Sequence, residues 1–242
     1  MSVFEKTDTS PRISNSICIT VGCFLKMSKF DIKLINLKHR VDRWTRILTA
    51  FTKNQYFNID VVPAVYHKTG YIGCTLSHAK ILRSAIEHGD DYVIVMEDDA
   101  VLNEKFLLKD INKIVETLVD NLDKWEIFNG APTFWSVRDN LNDVVKHKSP
   151  LGGRFATLNW GQTTHFMVYN RTVFAKLANL FETTEDYPDL IISRNYFQTV
   201  YGSDYLFYQD LDHSDIKNVD NDEVYMEYQK NQELIFKRLL DD

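Results

Sequence analysis

The fold turns on the stretch Tyr92-Val93-Ile94-Val95-Met96-Glu97-Asp98-Asp99. Tyr92 to Met96 is continuously apolar over a strand's length, with no alternation. That is the pattern of a strand covered on both faces at the centre of an α/β sheet. The run ends in three carboxylates. In open α/β sheets ligands bind beyond the carboxyl ends of the strands, so these eight residues also place a candidate site. Adjacent carboxylates repel, and burial raises the cost of ionising them. A divalent cation relieves both effects, and hard oxygen ligands suit Mg²⁺ or Mn²⁺. Such a metal can in turn hold a diphosphate. Taken alone, the triplet also reads as a solvated acidic loop that merely ends a strand.

Upstream, Asp31 to Leu37 alternates and then turns apolar, as a strand entering a sheet does. Lys38 to Arg43 is a basic turn, and Trp44, Ile47, Leu48 and Phe51 follow at helical spacing. Phe57 to Val62 reads as a second strand and Pro63 to Gly73 as a loop. A helix over Thr75–His88 puts Leu76, Ala79, Leu82 and Ile86 inward, and Gly89 stops it in the place of a left-handed cap.

Downstream, Phe106 to Leu122 reads as an amphipathic helix with Ile111, Ile114, Val115, Leu118 and Leu122 inward. Trp125 to Phe128 is a short strand, 131–155 a long loop, and Thr164 to Tyr169 a strand. Asn170 is placed to cap a helix carrying Val173, Leu177 and Leu180. A last helix is expected over Val224–Leu240. No repeat or linker divides the chain. The order of elements predicts one α/β domain with a parallel sheet core.

The 242 residues are 44% hydrophobic and 26% charged with a net charge of −6, which excludes a disordered chain or a coiled-coil fibre. An acidic balance argues against a nucleic-acid partner, whose phosphates are met by Lys and Arg. No apolar run reaches the roughly 20 residues of a membrane span. Cys18, Cys23 and Cys74 form no CxxC pair, and a reduced, cytoplasmic compartment is expected, with the lumen of the endoplasmic reticulum as the alternative. Ile13 to Leu25 lacks a strongly basic preceding region, so residues 1–26 are read as an N-terminal extension rather than a signal peptide. The core domain is then 27–242. Residues 1–181 carry 23 basic and 19 acidic groups, a balance of +4, while 182–242 carry 5 and 15, a balance of −10.

Three segments, in this order, resemble glycosyltransferase family 25, which includes bacterial lipooligosaccharide β-galactosyltransferases and animal procollagen galactosyltransferases. They are Ile35-Asn36-Leu37-Lys38-His39-Arg40-Val41-Asp42-Arg43, Gly73-Cys74-Thr75-Leu76-Ser77-His78 and Tyr92 to Ala100. Weaker matches are Trp125 to Gly130 and Trp160-Gly161-Gln162-Thr163 leading into Phe166 to Tyr169. The resemblance spans roughly 31–181. It implies a GT-A fold with a Rossmann-like, mostly parallel sheet flanked by helices. It also implies a UDP-linked sugar donor, an acidic metal motif at Glu97-Asp98-Asp99, and inversion at the anomeric centre.

Inverting transfer needs charge stabilisation at the departing diphosphate and a base for the acceptor hydroxyl. Asp99 is expected to bind Mn²⁺ or Mg²⁺ with Asp98 or Glu97 beside it, and His213 is the candidate to complete the site. Ile35, Asn36 and Leu37 are expected to contact base and ribose, and Arg40 and Arg43 to give the donor cationic contacts. Ser77 and His78 are expected on the donor side, although His78 also reads as a brace for its loop. Gly161 and Asp98 join the donor-binding set. Two carboxylates compete as base. Asp189, in Tyr187-Pro188-Asp189-Leu190, lies closer to the family's spacing. Asp204 sits among Tyr201, Tyr205, Phe207 and Tyr208, whose rings can stack on sugars, and is narrowly preferred.

Residues 27–181 are therefore read as the donor part and 182–242 as the acceptor side, whose acidity suits a neutral or cationic acceptor. That acceptor is a glycan or a hydroxylated, collagen-like polypeptide. A rival reading is a non-catalytic sugar- or nucleotide-binding module on the same fold. A metal hydrolase or nucleotidyltransferase lacks support, since no Gly-rich phosphate loop is present.

Overall fold

The computed structural model describes residues 29–52, 54–132, 146–149, 151, 155–158, 161–195, 199–202 and 205–210. The 1–26 extension, Asp204, His213 and the helix expected over Val224–Leu240 lie outside the described residues.

In chain order the elements are β1 (Phe30–Asn36), α1 (Val41–Ala50), β2 (Phe57–Pro63), α2 (Gly70–His88), β3 (Tyr92–Glu97), β4 (Ala100–Leu102), α3 (Leu108–Val119), β5 (Ile127–Asn129), β6 (Lys146–Lys148), β7 (Phe155–Leu158), β8 (Phe166–Asn170), α4 (Arg171–Thr183), α5 (Pro188–Arg194), β9 (Thr199–Gly202) and β10 (Phe207–Gln209). The main sheet has the order β2-β1-β3-β8-β5-β9-β7-β6, and β4 pairs with β10 in a small second sheet. β2, β1 and β3 run parallel, as do β5 and β9, but β8 is antiparallel to both its neighbours. The sheet is thus mixed, and its three-stranded parallel part, β2-β1-β3, comes from the first half of the chain.

Side chains alternate across β3 as its apolar run requires. Ile94 and Met96 pack on one face with Ile47 and Phe51 of α1 and Ile111, Val115 and Leu118 of α3. Val93 and Val95 pack on the other with Ala79, Leu82 and Ala85 of α2 and Val173, Leu177 and Phe181 of α4. This three-layer arrangement fully buries Ile94, Val95 and Met96. Each such side chain contributes roughly 1.5–3 kcal/mol through removal from water.

Two caps were legible in advance. Gly89 has φ +73° after α2, the left-handed region where glycine costs least. The Asn170 side chain accepts from the Thr172 amide at 3.0 Å and opens α4. The start of α2 was not legible. The helix begins at Gly70, one turn before the expected Thr75. Tyr71 stacks on Tyr187 at 4.3 Å, which gives that extra turn a tertiary partner. Gly73 fits because its α-carbon lies against the preceding loop, where an added Cβ would stand 2.6 Å from the Val65 carbonyl oxygen. Within α2, Ile86 is exposed and Ile81 and Ala85 are buried instead, so the inward face is rotated from the expected one. Among the described residues no helix is long and apolar enough to cross a membrane.

Candidate functional site

Parallel pairing sets Ile35 beside Glu97. The carboxyl ends of β1 and β3 therefore lie side by side, and the turns that leave them form one wall of a cavity of about 370 Å³. Ile35, Leu37, His39, Arg43, Ser77, Glu97, Asp98 and Asp99 line it, together with the 64–68 loop.

The three carboxylates have three different surroundings. Asp98 is saturated by the first strand–turn–helix. Its Oδ2 accepts from Asn36 Nδ2 at 2.7 Å and its Oδ1 from Arg43 Nη1 at 2.9 Å. Asn36 Nδ2 also donates to the Arg40 carbonyl at 3.0 Å, so one carboxylate ties the basic turn to the end of β3. Burial pushes the Asp98 carboxyl above its usual range, against the pull of Arg43 and Asn36.

Glu97 faces the opposite layer. Its Oε1 accepts from Thr164 Oγ1 at 2.6 Å and lies 3.2 Å from His78 Nε2. The His78 Nδ1 lies 2.9 Å from the Tyr169 hydroxyl. Burial alone would raise the Glu97 carboxyl, but the contacts with His78 and Thr164 outweigh it and hold it down at about 2.

Asp99 has one oxygen engaged, Oδ2, which accepts from Gln209 Nε2 at 2.9 Å. Its Oδ1 is buried without a hydrogen-bond partner among the described residues. Burial and the neighbouring charge of Glu97 push its carboxyl up to about 7. A buried carboxylate oxygen without a partner is costly. It is the donor in this cluster whose chemistry a hard divalent cation would satisfy, so the residues present fit the implied metal at Asp99. The nearby Cys74 thiol is pushed well above its ordinary range by burial and then by Glu97.

The other expected site residues separate into those at the cavity and those away from it. Ser77 lines the cavity but is occupied by structure, accepting from the Val65 amide at 2.8 Å and donating to the Gly73 carbonyl at 2.7 Å. His78 is buried against Glu97 and Tyr169 and does not line the cavity. Arg40 pairs with Asp42 and does not line the cavity. Gly161 is tied to Ser193, whose hydroxyl donates to its carbonyl at 3.0 Å. Asp189 opens α5, and its two oxygens accept from the Thr163 and Leu190 amides at 2.8 and 2.9 Å. It thereby pins the loop on which Thr163 has φ +72° and Thr164 reaches Glu97.

Sequence reading missed Thr164, Tyr169 and Gln209. Gln209 sits in a tail without periodicity, and nothing local marks it. It arrives because β10 pairs with β4, directly after the acidic triplet. The Asp210 amide donates to the Asp99 carbonyl at 2.7 Å, and its carboxylate pairs with Arg46. Part of the acidic C-terminal quarter thus packs under the candidate metal site.

Residues 68–147 match the family model described as glycosyltransferase family 25 (LPS biosynthesis protein). That segment is the part of the chain that is similar to the family. It covers about a third of the chain and takes in α2, the β3 strand and the acidic triplet, while Ile35 to Arg43 lies outside it. The match marks the chain as a glycosyltransferase, and its domain is an α/β one built on a mixed sheet. No curated protein matches it in sequence.

Solved structures that resemble it include a glycosyltransferase involved in the glycosylation of the major capsid of PBCV-1. That chain is 11% identical, with 85% of this chain and 100% of that one covered, at TM-score 0.45. Mannose-1-phosphate geranyltransferase from Thermus thermophilus is 7% identical, with 76% of each chain covered, at TM-score 0.42. Apo UDP-glucose pyrophosphorylase is 7% identical, with 75% and 74% covered, at TM-score 0.42. Likeness this remote carries no function across.

Proposed function

We propose that this glycosyltransferase moves a hexose, galactose or glucose, from a UDP-sugar to a hydroxyl of a glycan or hydroxylated polypeptide, with inversion. The reading rests on one observation. Asp99, with a buried oxygen that has no partner among the described residues, lines a cavity at the carboxyl ends of two parallel strands. Mn²⁺ or Mg²⁺ bound there would stabilise the charge that develops on the leaving diphosphate. Asp98 is assigned to holding the donor-side turn, because Arg43 and Asn36 already occupy both its oxygens. Arg43 and Lys68 bring positive charge to the cavity wall, which suits a polyanionic donor. Ile35 and Leu37 supply an apolar edge for the base. The acceptor base is a carboxylate of the acidic C-terminal quarter, Asp204 or Asp189.

Thermal shifts with UDP-galactose and UDP-glucose, with and without Mn²⁺, test this reading. A donor at 100 times its Kd stabilises by about 2.7 kcal/mol, or roughly 5–11 °C for a domain of this size. Asp99→Asn should lose the Mn²⁺-dependent part of that shift and all transfer, and should melt no lower than the parent, since it removes a buried charge. Absence of any shift, or undiminished transfer in Asp99→Asn, overturns the assignment. Asp204→Asn and Asp189→Asn decide the base, which is the one whose loss stops transfer while the donor-induced shift stays.

A further inference from the structure

Beside the cavity lies a second set of donor atoms, which shares Glu97 with the acidic triplet but adds sulfur and nitrogen. Cys74 and His78 are one helical turn apart on α2, so both reach the end of β3. The Cys74 sulfur, a His78 ring nitrogen and a Glu97 carboxylate oxygen all lie within 4.8 Å of one another. Zinc bonds of about 2.0–2.3 Å at tetrahedral angles require ligand–ligand edges of roughly 3.2–3.6 Å. The His78 Nε2 to Glu97 Oε1 edge is already 3.2 Å.

The support around this set is also built. His78 is fully buried, and the buried Tyr169 hydroxyl stands 2.9 Å from its Nδ1. Without metal, Nε2–H faces Glu97 as a donor; a cation at Nε2 takes the other tautomer, with the ring proton on Nδ1 and accepted by the Tyr169 oxygen, which frees the Nε2 lone pair. This is the usual way an outer partner orients a ligating histidine. Thr164 fixes Glu97 by donating to the same Oε1. Cys74 and Glu97 both line the cavity, which leaves a fourth position for water.

We propose that Cys74, His78 and Glu97 are a site for Zn²⁺. A thiolate and an imidazole select this softer cation over Mg²⁺ and Mn²⁺, which the all-oxygen donor of Asp99 suits. Binding forms one bond each to sulfur, nitrogen and oxygen and releases the Cys74 thiol proton to solvent, with no change of oxidation state. Glu97 adjoins the Asp99 site. On the reading that Asp99 holds the catalytic cation, Zn²⁺ therefore inhibits transfer by drawing Glu97 toward itself.

The test uses the full chain carrying C18S and C23S, so that Cys74 is the sole thiol. Zn²⁺ is titrated against a chromophoric chelator, and Co²⁺ serves as the spectroscopic probe. One equivalent of Zn²⁺ and a thiolate-to-cobalt charge-transfer band are expected. C74S should abolish the band with circular dichroism unchanged. Y169F should keep the band and weaken Zn²⁺ about 10–100-fold. No uptake of Zn²⁺, or uptake that C74S leaves unaltered, overturns the proposal. If the Mn²⁺-dependent UDP-sugar shift persists while Zn²⁺ uptake fails, this inference falls and the proposed function stands. The opposite pair of results has the opposite meaning.

Discussion

Arg43→Met is the sharpest probe of how the acidic triplet is held. The guanidinium and the Asp98 carboxylate lie 2.9 Å apart, with side chains only 7% and 10% exposed. Methionine keeps most of the aliphatic stem but removes the charge. Asp98 then keeps Asn36 as its partner and loses its counter-ion in a buried place. Breaking a buried pair from one side costs about 3–5 kcal/mol, chiefly because the remaining charge is left uncompensated. The retained Asn36 bond puts the expectation near the lower end, about 3 kcal/mol. For a domain of this size that is a fall in Tm of roughly 6–12 °C.

Asp98→Asn in the same chain removes the stranded charge, and the double variant should recover more than half of the loss. The assay is urea unfolding of parent, both single variants and the double variant, closed as a cycle. A coupling below about 1 kcal/mol, or a single-variant loss of the same small size, refutes the view that Asp98 is neutralised by Arg43.

Two further perturbations reach different parts of the argument. Gly73→Ala brings a Cβ to 2.6 Å from the Val65 carbonyl oxygen, and the loop that walls the cavity must move. A loss of about 1–3 kcal/mol is expected, together with a weaker UDP-sugar thermal shift. An unchanged shift would detach the 64–68 loop from donor binding. Asn170→Ala removes the α4 cap and also the Nδ2 donor to the Leu122 carbonyl at 2.8 Å. Cap loss of about 0.5–2 kcal/mol adds to an orphaned carbonyl costing about 1–3 kcal/mol, so chemical denaturation should show a loss of about 1.5–5 kcal/mol. A loss under about 1 kcal/mol would mean that water replaces both bonds.

The sequence by itself determined the centre of this protein. An unbroken apolar run from Tyr92 to Met96 has no side to show to water, so it had to be an inner strand. Gly89 and Asn170 marked helix ends through local backbone and side-chain chemistry, which needs no distant partner. The position of Glu97, Asp98 and Asp99 at the end of that strand was legible for the same reason.

Tertiary structure alone decided the rest. A short apolar strand such as β8 has the same pattern read in either direction, so its antiparallel placement was invisible. The extra turn of α2 depended on Tyr187, more than a hundred residues away in the chain. The three carboxylates look alike in sequence, yet their surroundings divide them. Arg43 and Asn36, 55 and 62 residues from Asp98, take up its charge. His78 and Thr164 hold Glu97 down, and Asp99 is left with a buried oxygen and Gln209, 110 residues on. Which carboxylate can take a cation is set by the fields of non-local neighbours. Those neighbours are chosen by strand register and helix packing, and no window of sequence contains them.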